Sequence, residues 1–199
     1  MTGKLITLYG INNIGKTTHS HLLVERLQRE GFDAVYIKFP IYQIEPTGSF
    51  LNQVLRKSHE AIQKISEEEL QMWFTLNRYQ FEPTLKKWLS EGKIVIAEDY
   101  TGTGIGWGTT KGANLEWLEN LNTYLLKEDF SVLLEGTRSI HAREEGHIHE
   151  SDDDLVGRAK DVFSNLGTRY GWARVQMEQQ KEDSAQKIYN VVKNFLSAA

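Results

Sequence analysis

Short runs of apolar residues recur along the chain, separated by longer stretches with helical spacing. Leu5-Ile6-Thr7-Leu8-Tyr9, Ala34-Val35-Tyr36-Ile37, Ile94-Val95-Ile96-Ala97 and Ser131-Val132-Leu133-Leu134 are short, unalternating and rich in branched side chains. Strands buried on both faces of a parallel sheet have this pattern. Trp172-Ala173-Arg174-Val175 is a weaker fifth candidate. Between these runs, a helix is expected from about Lys16 to Glu30, with Leu23 and Leu27 on one face. Ser66-Glu67-Glu68-Glu69 has the form of a capping box: the serine oxygen accepts from the amide three residues on, and Glu69 reaches back. The helix that follows carries Leu70, Trp73, Phe74, Phe81, Leu85 and Trp88 at helical spacing, with a kink expected at Pro83. Ile188, Val191, Val192 and Phe195 mark a last helix. Strands that alternate with helices predict an α/β fold, a parallel sheet covered on both faces.

Composition narrows the function. The chain has 199 residues, 40% of them apolar and 25% charged, with a net charge of −4. This suits one domain with a sizeable core. The acidic balance argues against a general nucleic-acid binder, which carries a basic surplus, and basic and aromatic residues are not interleaved as in single-strand binders. There is no cysteine, so disulfides, thiolate metal sites and cysteine nucleophiles are excluded; this fits a reducing, cytoplasmic setting. The first apolar run turns polar at Tyr9-Gly10, unlike a signal peptide, and no run is long enough to span a bilayer. The charge-rich stretch from Glu144 to Asp154 reads as a solvated segment, and a solvated setting is also the expectation for His147 and His149 within it. His19 and His21 follow the loop threonines; His19 is expected to face solvent, with packing near the nucleotide as the alternative.

The strongest chemical signal is Gly10-Ile11-Asn12-Asn13-Ile14-Gly15-Lys16-Thr17-Thr18, which matches G-x-x-x-x-G-K-[ST] between a strand and a helix. Gly10 and Gly15 let the backbone wrap so that successive amides, those of Asn13, Ile14 and Thr18 among them, point at phosphates. The helix N-terminus adds positive potential. Lys16 is placed to reach the β- and γ-phosphates of ATP, and the Thr17 hydroxyl to ligate Mg²⁺. The fold expected is therefore the P-loop NTPase three-layer sandwich, with a five-stranded parallel sheet, helices on both faces and a short lid. Asp99-Tyr100-Thr101-Gly102 fits D-x-x-G, but no Asn-Lys-x-Asp guanine motif follows, so a GTPase reading carries little weight.

Beyond the loop, the order of motifs resembles the thymidylate kinase family over nearly the whole chain. Lys38-Phe39-Pro40 resembles its Arg/Lys-Phe-Pro element, and Gly48 with Phe50, Leu51 and Leu55 resembles the helix after it. Phe74-Thr75-Leu76-Asn77-Arg78 resembles Phe-x-x-Asn-Arg, Glu98-Asp99-Tyr100 its Asp-Arg-Tyr, and Leu133-Leu134-Glu135 its Leu-x-Asp. The resemblance implies that Phe74 stacks on thymine and Arg78 bonds the base edge. Positions four apart share a helix face; read without the resemblance, Phe74 is core and Arg78 pairs with a surface acid. Thr103 to Trp107 would line the sugar pocket, with Trp107 excluding a ribose 2′-hydroxyl. Glu98 would hold Mg²⁺-bound water or orient the acceptor, and otherwise caps the turn at Thr101. Arg143 would be the arginine at a lid spanning about residues 143–154, and the assembly would be a homodimer.

Five residues depart from the family pattern, as does the usually basic lid, which here reads Arg143-Glu144-Glu145-Gly146-His147-Ile148-His149-Glu150. Asn12 stands where an aspartate faces the acceptor, and Asn13 where some members carry an arginine. Asp99 replaces the arginine that grips the acceptor phosphate. Ile41 and Tyr42 follow Phe-Pro where an arginine is common. At about 4 Å and an effective dielectric near 20, each unit charge pair is worth on the order of 4 kcal/mol, so the exchange at Asp99 matters. Arg138, Arg143 and Arg158 are the remaining candidates to stabilise transition-state charge. Three readings stand at this level: ATP-dependent phosphorylation of dTMP, a P-loop kinase acting on a nucleoside or other alcohol without the 5′-phosphate, and a nucleotide-binding pseudokinase.

Overall fold

The structure is a computed structural model that describes residues 3–56, 65–136 and 153–198. Five parallel strands form one sheet: β1 (Lys4–Tyr9), β2 (Ala34–Lys38), β3 (Ile94–Glu98), β4 (Phe130–Glu135) and β5 (Ala173–Gln176), in the order β2-β3-β1-β4-β5. All five expected strands are present, within a residue or two at their ends. The sheet is apolar in the middle, with Leu5, Ile6, Leu8, Val95, Ile96 and Val132 wholly buried. Seven helices cover it among the described residues: α1 (Lys16–Arg29), α2 (Thr47–Arg56), α3 (Glu67–Ser90), α4 (Thr101–Thr110), α5 (Leu115–Leu121), α6 (Asp153–Tyr170) and α7 (Lys181–Ala198). Ser66 caps α3 by accepting from the Glu69 amide at 3.1 Å, and α3 continues past Pro83 as one helix.

The strand order decides where chemistry can occur. From β1 the chain crosses to the β3 side, and after β3 it crosses back to β4, so the crevice opens above the C-terminal ends of β1 and β3. Leu8 pairs in register with Glu98, and Lys38 with Glu98 on the other side. The loop after β1 and the acidic pair after β3 therefore end at one level.

Helix α4 is not legible as a helix in the sequence. Its residues, TGTGIGWGTT, carry glycine at alternate positions, and each glycine costs helix stability relative to alanine. Packing explains them. A Cβ at Gly102 would lie 2.7 Å from Trp172, at Gly106 2.6 Å from Phe163, and at Gly108 2.9 Å from Leu118. The glycines let α4 approach its neighbours closely, and the burial gained offsets the poor propensity.

Candidate active site

A cleft of about 1120 Å³ lies over the sheet crevice. One wall is the loop from Gly10 to Thr18. Gly10 (φ 144°), Asn13 (φ 63°) and Gly15 (φ 99°) adopt left-handed backbone there, the sequence of turns that bends the loop into an amide-lined cup. A Cβ at Gly10 would meet the Leu134 carbonyl at 2.8 Å, so this glycine answers both to backbone and to space. Asn12, Asn13, Ile14, Gly15 and Thr18 line the cleft. Lys16 is buried, its Nζ donating to the Gly10 and Ile11 carbonyls at 2.9 and 3.0 Å. His19 is a correction: it is 5% exposed, with Nδ1 2.9 Å from the Gly15 carbonyl, and so supports the loop from beneath. His21 is exposed, its ring against Tyr36.

The acidic pair at the end of β3 faces that loop. Glu98 is 2% exposed and gathers three donors: the Thr17 hydroxyl at 2.8 Å, the Tyr36 hydroxyl at 2.6 Å and Lys38 Nζ at 3.1 Å. Burial works to raise its pKa, but Lys38, Tyr36, Lys16 and Thr17 together outweigh it and hold the carboxyl below its ordinary value. Thr17 gives its proton to Glu98, which leaves the hydroxyl lone pairs for a cation, and both groups are hard oxygen donors. That donor set fits Mg²⁺, which takes one or two protein oxygens and completes its shell with waters and phosphates. Among the described residues no group of three or more histidine, aspartate or glutamate side chains forms a metal cage. Asp99 has a left-handed backbone (φ 60°), tolerated by aspartate. Its Oδ1 accepts from Thr103 at 2.9 Å and lies 3.5 Å from Lys16 Nζ. Burial, with Glu98 beside it, pushes the Asp99 carboxyl up against the pull of Lys16.

The opposite wall comes from α3, α4 and the segment after β2. Phe74 and Arg78 both line the cleft, and Arg78 does not pair with a surface acid. It is 4% exposed, and its Nη atoms donate to the Tyr100 carbonyl, Thr75 and Asn122 at 3.3, 3.2 and 3.1 Å. Its Nε has no partner, and among the described residues no carboxylate lies within ion-pair distance. Burial pulls its pKa down to about 10, so it stays charged at neutral pH. A buried, uncompensated cation is costly unless a ligand completes it. Pro40, Tyr42 and Thr103 also line the cleft. Phe39 and Trp107 reach it too, but their rings are largely committed to the core: Phe39 packs on Phe81 and Tyr100, Trp107 on Phe163.

One residue of this wall escapes a reading of roles from the sequence. Asn77 is wholly buried and binds the Ile41 backbone at both ends, accepting from its amide at 2.7 Å and donating to its carbonyl at 2.9 Å. It also donates to Thr47 at 2.9 Å. It thereby fastens the Phe39–Tyr42 segment to the helix that carries Phe74 and Arg78. Its place in Phe-x-x-Asn-Arg is the available signal. Arg138 and Arg143 lie outside the described residues, and Arg158 is exposed on α6, away from the cleft lining. The basic side chains that do line the cleft are Lys16, Lys38, Arg78, Lys111 and Lys181, with His19 below the loop.

Comparisons with known proteins show the family and the fold. The chain is 28% identical over 185 residues to the human thymidylate kinase, covering 90% of this chain and 85% of that one. It is 25% identical over 202 residues to the zebrafish (Danio rerio) thymidylate kinase, covering 99% and 93%. In fold it is similar to the thymidylate kinase structures from Candida albicans (TM-score 0.75, 19% identity, 97% and 92% covered) and Ehrlichia chaffeensis (TM-score 0.74, 20% identity, 98% and 100% covered). The thymidylate kinase family model matches residues 8–188, a span that includes the phosphate loop, the Glu98–Asp99 pair and the Phe74–Arg78 wall, and the chain belongs to that family.

Proposed function

We propose that this chain is an ATP-dependent kinase that phosphorylates dTMP to dTDP and does so with the residues assembled in this cleft. The observation that carries the reading is Arg78: a buried guanidinium with a free Nε and no carboxylate partner among the described residues, one helical turn from Phe74, across the cleft from the phosphate loop. An aromatic face beside a forked donor suits a planar base with carbonyl edges.

The donor phosphates enter the cup of amides at residues 10–18, where Lys16 exchanges its carbonyl partners for phosphate oxygens. Thr17 and Glu98 are the residues that would hold Mg²⁺, which when bound offsets charge on the β- and γ-phosphates. The acceptor's base lies between Phe74 and Arg78, its sugar near Thr103 and Trp107, and its phosphate points toward Lys16 and Lys38, with Asn12, Pro40 and Tyr42 at the side. Transfer forms a bond between the γ-phosphorus and an oxygen of the acceptor phosphate and breaks the bond to the β-bridging oxygen, which leaves as ADP. Asp99 tethers Lys16 and Thr103, and Arg143 is the candidate to stabilise the migrating phosphoryl group. The chain works as a single kinase domain in the cytoplasm, and as a homodimer; the lid expected at about residues 143–154 lies outside the described residues up to residue 152. No helix among the described residues is long and apolar enough to cross a membrane.

The test follows ADP release with ATP, Mg²⁺ and either dTMP or thymidine, using Lys16→Ala as the control. Turnover of dTMP should far exceed that of thymidine and fall by about 10³-fold or more in the control. Preference for thymidine would replace the acceptor, and ATP binding without any Lys16-dependent product would leave only a nucleotide-binding role.

A further inference from the structure

We propose that Gln71 is a second base-reading residue, one that accepts the N3–H of a thymine or uracil ring and so sets the site against cytosine. The inference rests on the reading of Phe74 and Arg78 as the base-binding wall. Gln71 lies seven residues before Arg78 on α3, and so on the same helix face. It is 2% exposed, yet it lines the cleft.

Its orientation is settled by what lies behind it. Gln71 Nε2 donates to Glu67 Oε1 at 2.8 Å, and Glu67 Oε2 accepts from Lys111 at 2.9 Å. A carboxylate only accepts, so it selects the amide rotamer with nitrogen toward Glu67 and oxygen away from it. That oxygen is turned toward Gly104, where a missing side chain on α4 opens onto this wall. A Cβ at Gly104 would stand 2.8 Å from Gln71 Oε1 and 2.9 Å from Arg78 Nη2. The Gln71 oxygen and the Arg78 guanidinium, whose free donor is Nε, therefore lie next to each other over bare backbone.

Thymine and uracil carry the complementary edge, an N3–H donor beside an O4 acceptor. Arg78 meets O4 and Gln71 meets N3–H. Cytosine carries the reverse, a bare N3 beside an amino group. It would set a lone pair against Gln71 Oε1 and an N–H against the guanidinium. A site whose buried polar groups find no partner rejects such a ligand strongly. Glu67, held by Lys111, acts through Gln71 as a positioning residue.

The experiment measures steady-state kinetics with dTMP, dUMP and dCMP at saturating ATP for wild type, Gln71→Met and Glu67→Gln. Wild type should favour dTMP and dUMP over dCMP. Gln71→Met should lower kcat/KM for dTMP by about ten- to a hundredfold, mostly through KM, with the KM for ATP unchanged and dCMP altered by no more than about threefold. The amide introduced by Glu67→Gln can donate as well as accept, which frees the Gln71 amide to turn over. Glu67→Gln should therefore raise turnover of dCMP without a matching loss on dTMP, an effect that no packing role produces. Parallel losses on dTMP and dCMP in Gln71→Met, or an unchanged ratio in Glu67→Gln, would overturn the proposal while leaving the kinase assignment in place. A wild-type enzyme that turns over neither dTMP nor dUMP would instead remove the thymidylate kinase reading and this inference with it. Glu67→Gln alters a partly exposed pair near a helix start, so it remains informative even if Gln71→Met fails to fold.

Discussion

The two walls of the cleft are built on different principles. The phosphate loop is nine consecutive residues whose working groups are backbone amides, shaped by positive-φ positions at Gly10, Asn13 and Gly15. The facing wall is assembled from side chains on α3, α4, β3 and the segment after β2, and several are held by other side chains: Ile41 by Asn77, Thr103 by Asp99, Gln71 by Glu67. A backbone cup tolerates change in most of its side chains, because the amides stay where the glycines put them. A side-chain wall can be retuned one contact at a time. Both walls depart from the family pattern, and in keeping with that difference the cup changes side chains at Asn12 and Asn13 while its glycine–lysine motif stays, whereas the facing wall has Ile41, Tyr42 and Asp99 where arginines are common.

Three substitutions separate the walls, in order of expected effect. Gly10→Val puts a branched side chain at φ 144° with the Leu134 carbonyl 2.8 Å from its Cβ. Strain of roughly 1–3 kcal/mol, added to that clash, should weaken ATP binding by calorimetry at least about a hundredfold and leave the rest of the protein folded by circular dichroism. If ATP affinity is unchanged, the cup is not the donor site. Asn77→Leu removes both bonds to Ile41 and leaves buried backbone groups unpaired, a loss of about 2–4 kcal/mol that a thermal melt reads directly. The same variant should raise the KM for dTMP about tenfold while the KM for ATP holds. Equal effects on both substrates would show that the walls are not independent.

Asp99→Asn has the smallest effect and the opposite sign. Asparagine tolerates the same left-handed backbone, and the change removes a negative charge from the acceptor end. The KM for dTMP should fall by about five- to tenfold, less than the roughly 4 kcal/mol ceiling for a bare charge pair, because Lys16 at 3.5 Å already neutralises much of it. Because burial raises the Asp99 pKa, protonation at low pH removes the charge and deprotonation restores it. The wild-type KM for dTMP should therefore rise as pH increases through that raised value, beyond any change owed to the acceptor phosphate itself. Asp99→Asn, which shares only the phosphate titration, should lose that excess rise. A profile identical in the two proteins would mean that Asp99 does not face the acceptor.

Much of the architecture is open to a reader of the chain alone. The five strands, the loop at residues 10–18, the first and last helices and the serine cap of α3 follow from local patterning, because each element's signal lies within its own few residues. Helix α4 does not follow. Its alternating glycines oppose helix formation locally and make sense only against Trp172, Phe163 and Leu118, which arrive from distant parts of the chain. His19 reads as a solvent-facing residue for the same reason: the Lys181 carbonyl and the Gly15 turn that enclose it belong to different segments.

Residue types and spacing by themselves determined that this chain forms a parallel α/β sheet, carries a glycine–lysine loop of the phosphate-binding pattern after its first strand and places Phe74 and Arg78 on one helix face. Only the tertiary structure decided that Arg78 is buried without a counter-charge among the described residues, that Asn77 fastens the Phe39–Tyr42 segment and that Gln71 turns its oxygen toward Gly104. Backbone amides and helical periodicity are local properties, written into consecutive residues. Burial, charge compensation and amide orientation depend on which remote groups pack nearby, and the chain specifies those only once it has folded.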